Sequence, residues 1–89
     1  MKWKIEYSSL YLRKARKILK GDPKLKDIYT EFLNKLITNP LEPSLQTHPL
    51  SGSLKGKFAC ALTYKLRIVF EITDKTILLL NIGTHDEVY

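Results

Sequence analysis

The spacing of apolar and polar residues along the chain predicts both strands and helices. Residues 2–7 alternate between the two kinds of side chain, and this period of two is typical of a strand. Ser8 or Ser9 is a suitable N-cap for a helix that follows, and Gly21 is a suitable end for it. Apolar residues recur on one side of this helix and basic residues crowd the rest, so the chain is predicted to begin with a strand and an amphipathic helix.

A second helix is predicted after a very short connection. Asp22-Pro23 combines an N-cap residue with a proline suited to the first helical position, and Asn39-Pro40 ends the segment. Between these points the apolar residues recur at spacings of three and four, which predicts an amphipathic helix of about four turns. These apolar residues are Leu25, Ile28, Tyr29, Phe32, Leu33, Leu36 and Ile37. Two helices joined so closely are expected to form an antiparallel hairpin.

Three strands are predicted after a proline-rich loop that covers residues 40–53. Segments with alternating apolar residues begin at Phe58 and Leu66, and Asp74-Lys75 fits the tight turn that leads out of the second segment. The last segment, residues 77–82, is apolar on both faces, which is typical of a strand in the middle of a sheet.

The order of these elements defines the expected fold class. A strand, two helices and three strands predict an α+β protein, in which an antiparallel sheet of about four strands carries the helix hairpin on one face. The chain has 89 residues, which fits a single domain over residues 1–89. No stretch approaches the ~20 apolar residues that cross a membrane, and the N-terminus lacks the apolar core of a secretory signal. We therefore expect a cytoplasmic protein with no membrane partner.

The charge of the chain points to an anionic partner. Fifteen Lys and Arg residues against nine Asp and Glu residues give a formal net charge of +6. Such an excess on a small surface attracts polyanions, of which nucleic acid is the commonest. An acidic protein would be attracted equally, and the basic run on the first helix is most often a solvated face.

Four side chains are candidates for chemistry. Strand alternation assigns Arg67 to the uncovered face of the sheet, where its head group meets either water or an anion. His48 in the loop and His85 after the last strand are the only histidines. A lone histidine is usually an ordinary surface residue, but His85 follows a strand end, where functional side chains are often presented. Tyr89 is either a frayed end or an aromatic residue that stacks on a base.

The remaining candidates are charged residues near these four. Lys55 and Lys57 flank Gly56 where the loop meets the next strand, and they either contact phosphates or only aid solubility. Asp86 and Glu87 are the only adjacent pair of acidic residues, and two carboxylates alone make a weak metal site. The single cysteine provides no zinc cluster, so we expect neither a metal nor a cofactor.

Three segments together resemble the RelE/ParE superfamily of bacterial toxins, and most closely its RelE and YafQ branch. They cover residues 48–56, 66–71 and 82–89, and the predicted order of elements matches as well. The resemblance implies the toxin of a type II toxin–antitoxin system, an endoribonuclease that cleaves mRNA in the ribosomal A site without a metal. In that reaction the 2′-hydroxyl of the RNA attacks the adjacent phosphorus and the 5′-oxygen leaves.

The resemblance also implies roles for particular residues. His85 matches a histidine proposed for proton transfer, and Arg67 matches an arginine that stabilises the pentacovalent phosphorane. Tyr89 matches a C-terminal aromatic residue, and His48 matches a histidine of the loop. We therefore expect these four residues to form the catalytic site.

The resemblance extends to residues that bind RNA, with two departures. Lys55 and Lys57 lie where lysines of the family contact RNA. YafQ-like members carry a second histidine and an aspartate in the following strand region, where this sequence has Ala61 and Lys65. Asp86 is available as a substitute carboxylate, and we expect Lys65 and Asp86 to lie against the RNA as well.

Two alternatives to the nuclease remain at this point. One is a ParE-like toxin that binds DNA gyrase without cleaving RNA, and the other is a decayed module that only binds its antitoxin. A pair of histidines with a terminal aromatic residue favours the nuclease, because a gyrase binder does not require them. In each case the expected protein partner is an acidic antitoxin, which adds a strand to the sheet or lays an amphipathic helix on the apolar surface.

Overall fold

Five strands and three helices make up the fold in the computed structural model, which describes residues 2–89. The strands are β1 (Lys4–Tyr7), β2 (His48–Pro49), β3 (Phe58–Ala61), β4 (Leu66–Thr73) and β5 (Thr76–Thr84). The helices are α1 (Ser9–Gly21), α2 (Leu25–Thr38) and α3 (His85–Val88). This composition confirms the predicted α+β class. No helix within residues 2–89 is long and apolar enough to cross a membrane.

All five strands belong to one sheet, in the order β1-β5-β4-β3-β2. β2, β3, β4 and β5 pair antiparallel, as predicted, whereas β1 pairs parallel to β5. A parallel pair needs no hairpin between its strands, and most of the chain separates these two, so the local pattern does not determine their relative direction. The fifth strand, β2, has only two residues, which is too short to produce an alternating pattern.

Hydrogen bonds at the helix ends explain where the helices begin. Ser8 is the N-cap of α1: its hydroxyl oxygen accepts from the Tyr11 amide at 3.0 Å. The predicted start of α2 is two residues too early, because Asp22 makes a turn instead of a cap. Its carboxylate accepts from the Lys24 amide at 3.2 Å, and its carbonyl accepts from the Leu25 amide at 3.0 Å. The end of α2 at Thr38 agrees with the prediction.

The main core lies between the helix hairpin and one face of the sheet. Ile68 and Phe70 of β4 are fully buried there, as the predicted alternation requires, but Val69 between them is also buried, on the opposite face. β5 lies between β1 and β4, as its two apolar faces predicted. Ile28 belongs to the apolar side predicted for α2, but it is not buried in the core, because 44% of it is exposed. Since successive residues of a strand point to opposite faces, Arg67 lies on the face of the sheet that α1 and α2 leave free.

One polar contact lies inside this core. The hydroxyl groups of Tyr11 and Tyr29 are 2.7 Å apart, and Tyr11 is fully buried. We predict that Tyr29→Phe lowers the free energy of unfolding by about 1–3 kcal/mol, because it leaves the buried Tyr11 hydroxyl without a partner. Tyr11→Phe combined with Tyr29→Phe should cost less than the sum of the single changes, since no unpaired group remains.

Urea unfolding measures these free energies. Tyr64→Phe is the matched control, because the Tyr64 side chain lies in the turn between β3 and β4 and is 92% exposed. Equal stability of Tyr29→Phe and the unsubstituted protein would contradict the prediction.

Candidate active site

Arg67 lies on the face of the sheet that the helix hairpin leaves open. It pairs with Ala61 of β3 and Gly83 of β5, so the three residues share that face. One terminal nitrogen of the guanidinium, Nη1, donates to the Thr63 carbonyl at 2.7 Å. No carboxylate within residues 2–89 forms an ion pair with Arg67. Arg67 is therefore a half-buried cation without an anionic partner, and its two neighbours are too small to cover it.

A short helix, α3, continues directly from β5 beside this arginine. Thr84 and Glu87 close a capping box, in which the Glu87 side chain accepts from the Thr84 amide at 2.7 Å. Hydrogen bonds from Thr84 hold the pKa of the Glu87 carboxyl below its ordinary value. This helix was not predicted from the sequence, although a threonine followed three residues later by a glutamate is the signature of such a box.

The capping box presents His85 and Tyr89 on successive turns. Their rings meet edge to face, with centroids 4.4 Å apart and planes at 86°. The His85 side chain is 70% exposed, and its Nδ1 lies 3.4 Å from an Asp86 carboxylate oxygen. Partial burial raises the pKa of the Tyr89 hydroxyl, and the Arg67 guanidinium acts against that rise. The structure thus brings His85 and Tyr89 together with Arg67, and Tyr89 is a neutral donor at physiological pH.

His48 shares this face but lies farther away. It pairs with Ala59, and Ala59 pairs with Val69, so all three point to the same side of the sheet as Arg67. Regular strand geometry places the Cα atoms of His48 and Arg67 about 12 Å apart. Nδ1 of His48 donates to the Gln46 carbonyl at 3.1 Å, which leaves Nε2 of the ring for a ligand.

The charged residues expected to bind RNA occupy two regions of the surface. Lys55 and Lys57 lie in the loop between β2 and β3, beyond the end of β3 that pairs with Phe70. Lys65 lies in the turn that leads into β4, and Asp86 lies in α3; both are exposed. The two pairs therefore flank the open face instead of forming one cluster.

Metal ligands and the thiol of Cys60 are the other groups to consider for catalytic chemistry. Within residues 2–89, no group of three or more His, Cys, Asp and Glu side chains is placed to hold a metal ion. Cys60 is fully buried in the core, and burial raises the pKa of its thiol to about 12. A thiol that remains protonated and inaccessible is a poor nucleophile, so Cys60 is a core residue.

The sheet therefore has one apolar face under two helices and one open face with an arginine that lacks an anionic partner, an exposed histidine and a neutral tyrosine. This arrangement defines a small α+β protein that offers cations and proton-transfer groups to an anionic ligand. A sequence profile of the family described as "Bacterial toxin of type II toxin-antitoxin system, YafQ" matches residues 3–89. The chain belongs to this YafQ family of toxins.

Individual relatives agree with this assignment. The mRNA interferase toxin YafQ of Escherichia coli (strain K12) is 34% identical over 84 residues, which cover 91% of this chain and 89% of that protein. The crystal structure of the E. coli DinJ-YafQ toxin-antitoxin complex contains a chain that superimposes with a TM-score of 0.78 at 27% identity, covering 100% of this chain and 99% of that one. A metal-bound toxin from Helicobacter pylori superimposes with a TM-score of 0.74 at 31% identity, covering 98% and 99%.

Proposed function

We propose that this toxin is an endoribonuclease that cleaves mRNA in the ribosomal A site by attack of a 2′-hydroxyl on the adjacent phosphate. The observation that carries the proposal is the position of Arg67, a cation without an anionic partner beside His85 and Tyr89. A phosphate is the anion that RNA would supply to such a site. The name mRNA interferase toxin, given to the E. coli relative, supports the choice of RNA as the substrate.

Arg67 is assigned to the charge that develops at phosphorus. A bond forms between the 2′-oxygen and phosphorus, and the bond from phosphorus to the 5′-oxygen breaks. In the pentacovalent transition state, negative charge accumulates on the non-bridging oxygens. A guanidinium stabilises this charge through directed N–H donors, and a half-buried position strengthens that interaction.

His85 is assigned to proton transfer. The reaction removes a proton from the 2′-hydroxyl and delivers one to the departing 5′-oxygen, and an exposed imidazole is suited to either task. The contact of Nδ1 with Asp86 orients the ring and leaves Nε2 for the substrate. Tyr89 packs edge to face against this ring and has a neutral hydroxyl for hydrogen bonding, or a ring face for a base.

His48 is assigned to the far side of the same phosphodiester. The distance of about 12 Å between the Cα atoms of His48 and Arg67 leaves room for one phosphate between the two side chains. Lys55 and Lys57 then contact the RNA beyond His48, while Lys65 and Asp86 contact it at the opposite end of the open face. This order along the strand supports a single continuous RNA path.

Sequencing of RNA ends after brief induction of the toxin tests the proposal. We expect cuts at a fixed phase within codons, because a ribosome presents the mRNA in its A site. Induction of His85→Ala under the same conditions is the control and should give no such cuts. Intact RNA together with double-strand DNA breaks would instead support the gyrase-binding alternative.

The proposed reaction needs no metal, and we predict cleavage in the presence of chelators. Glu87 is engaged in the capping box, so the one adjacent acidic pair is not available as a ligand pair. Free RNA at high toxin concentration should be cut in EDTA. Ribosome-bound mRNA should be cut when a chelator selective for transition metals is added and Mg²⁺ is retained. Activity that is lost on chelation and restored by a divalent ion would contradict this prediction and would relate the protein to the metal-bound toxin from H. pylori.

The protein partner in our proposal is an acidic antitoxin made in the same cytoplasm, by analogy with the DinJ-YafQ complex. Basic residues on α1 and in the β2–β3 loop should attract it over a distance. These residues are Arg13, Arg16, Lys17, Lys55 and Lys57. We predict that the association rate, measured by stopped flow across a salt series, falls as the salt concentration rises. A rate independent of salt, with no protection of these residues in the complex, would assign them to RNA alone.

A further inference from the structure

Lys14 differs from the other basic residues of α1. Its neighbours Arg13, Arg16 and Lys17 are exposed, whereas Lys14 is half-buried. Its ammonium group donates to the Asn81 side-chain oxygen at 2.6 Å, and this contact joins α1 to β5. The same oxygen accepts from the amide of the next residue at 2.9 Å, which fixes the Asn81 side chain.

The space beside this contact exists because residue 83 is a glycine. A Cβ on Gly83 would lie 3.0 Å from a carboxylate oxygen of Glu87 and 3.3 Å from the Lys14 ammonium nitrogen. The side chains of Glu87 and Lys14, which have opposite charges, therefore occupy the space that a side chain at position 83 would need. Besides the hydrogen bonds from Thr84, the ammonium of Lys14 also lowers the pKa of Glu87, in agreement with this proximity.

We propose that Lys14 is a positioning residue that, with Asn81, holds Glu87 over Gly83 and so fixes α3 against the sheet. This inference rests on the proposed function, in which α3 presents His85 and Tyr89 to the scissile phosphate. Four residues are too few for a helix to be stable alone, so the orientation of α3 depends on contacts such as these. Gly83 is also the cross-strand partner of Arg67, so Glu87 lies over the sheet at the level of the arginine.

Steady-state cleavage by Lys14→Met tests the proposal. Methionine keeps the unbranched stem and a high helix propensity but removes the ammonium group. We expect kcat to fall about 10- to 100-fold with little change in KM, because catalytic groups that move by about 1 Å lose that much rate. Lys20→Met is the matched control: it removes the same charge from an exposed position in the last turn of α1, and it should leave kcat unchanged.

A measurement without RNA reports the position of α3 directly. The chain has only two valines: Val88 in α3, 7% exposed, and Val69 in β4, 2% exposed. In an NMR spectrum of the valine methyl groups, Lys14→Met should move the Val88 signals toward unfolded-chain values, and Lys20→Met should not. Gly83→Ala is a second variant that displaces Glu87 without removing a charge, and it should move the same signals.

The kinetic and the spectroscopic measurements can fail independently. A fall in kcat together with displaced Val88 signals, in a variant whose melting temperature is retained, supports the positioning role. Unmoved Val88 signals in Lys14→Met would overturn it. Equal rises in KM for Lys14→Met and Lys20→Met would also overturn it, because either result reduces Lys14 to a source of charge. If the unsubstituted protein does not cleave RNA, the proposed function fails, whereas the Val88 signals still decide whether Lys14 holds α3.

Discussion

Replacement of His85 by alanine is expected to lower the rate of RNA cleavage by about 10²-fold or more, which is the usual loss when a general acid or base is removed. The physical reason is the position of the imidazole, which is exposed at the end of the open face and oriented by Asp86 and Tyr89. The fold should be retained, because the side chain is 70% exposed and has no part in the core.

The cleavage rate, antitoxin binding and the melting temperature together separate the chemical role of His85 from a structural one. His85→Gln keeps a polar side chain but cannot transfer protons at neutral pH, so it should be as inactive as His85→Ala. Asp86→Ala should cost less, since Asp86 only orients the ring. Both His85 variants should still bind the antitoxin and should melt at the temperature of the unsubstituted protein. Full toxicity of a well-folded His85→Ala protein would remove this residue from the mechanism.

Replacement of Arg67 by glutamine is expected to lower kcat by about 10²- to 10³-fold, the range for removal of one donor that stabilises developing negative charge. Arg67→Lys should recover part of this loss, because it retains the charge but not the planar pair of donors. Arg13→Gln, on the exposed surface of α1, is the matched control and should leave kcat unchanged.

Arg67 also donates to the Thr63 carbonyl, so its replacement removes a hydrogen bond from the turn between β3 and β4. The melting temperature and antitoxin binding of Arg67→Gln therefore need to be measured with its kinetics. A stable Arg67→Gln protein that cleaves RNA at the original rate would show that the open face does not hold the scissile phosphate.

The sequence predicted those parts of the fold that depend on local periodicity. Alternation along β4 predicted that Ile68 and Phe70 face the helices and that Arg67 faces the other way, and the structure places them so. The parallel direction of β1 was not predictable, because it depends on pairing with a strand about seventy residues away. Helix α3 was predictable in principle, since the capping box is visible in the spacing of Thr84 and Glu87.

The candidate site, like the fold, was only partly predictable from the sequence. Residue types and resemblance selected Arg67, His85 and Tyr89, and the structure brings these three together. The separation of His48 from them depends on where a two-residue strand joins the sheet, which no local pattern reveals. Lys14 is indistinguishable in the sequence from the basic residues around it, because only the contact with Asn81 sets it apart.

The chemistry of the cut ends tests the proposed mechanism most directly. RNA cut by the purified toxin in EDTA should carry a 2′,3′-cyclic phosphate on one fragment and a 5′-hydroxyl on the other, because the nucleophile is the neighbouring 2′-hydroxyl. Arg67→Gln and His85→Ala should yield neither end above background. Fragments with a 3′-hydroxyl and a 5′-phosphate, formed when water attacks the phosphorus and the 3′-oxygen leaves, would contradict the mechanism and the roles assigned to both residues.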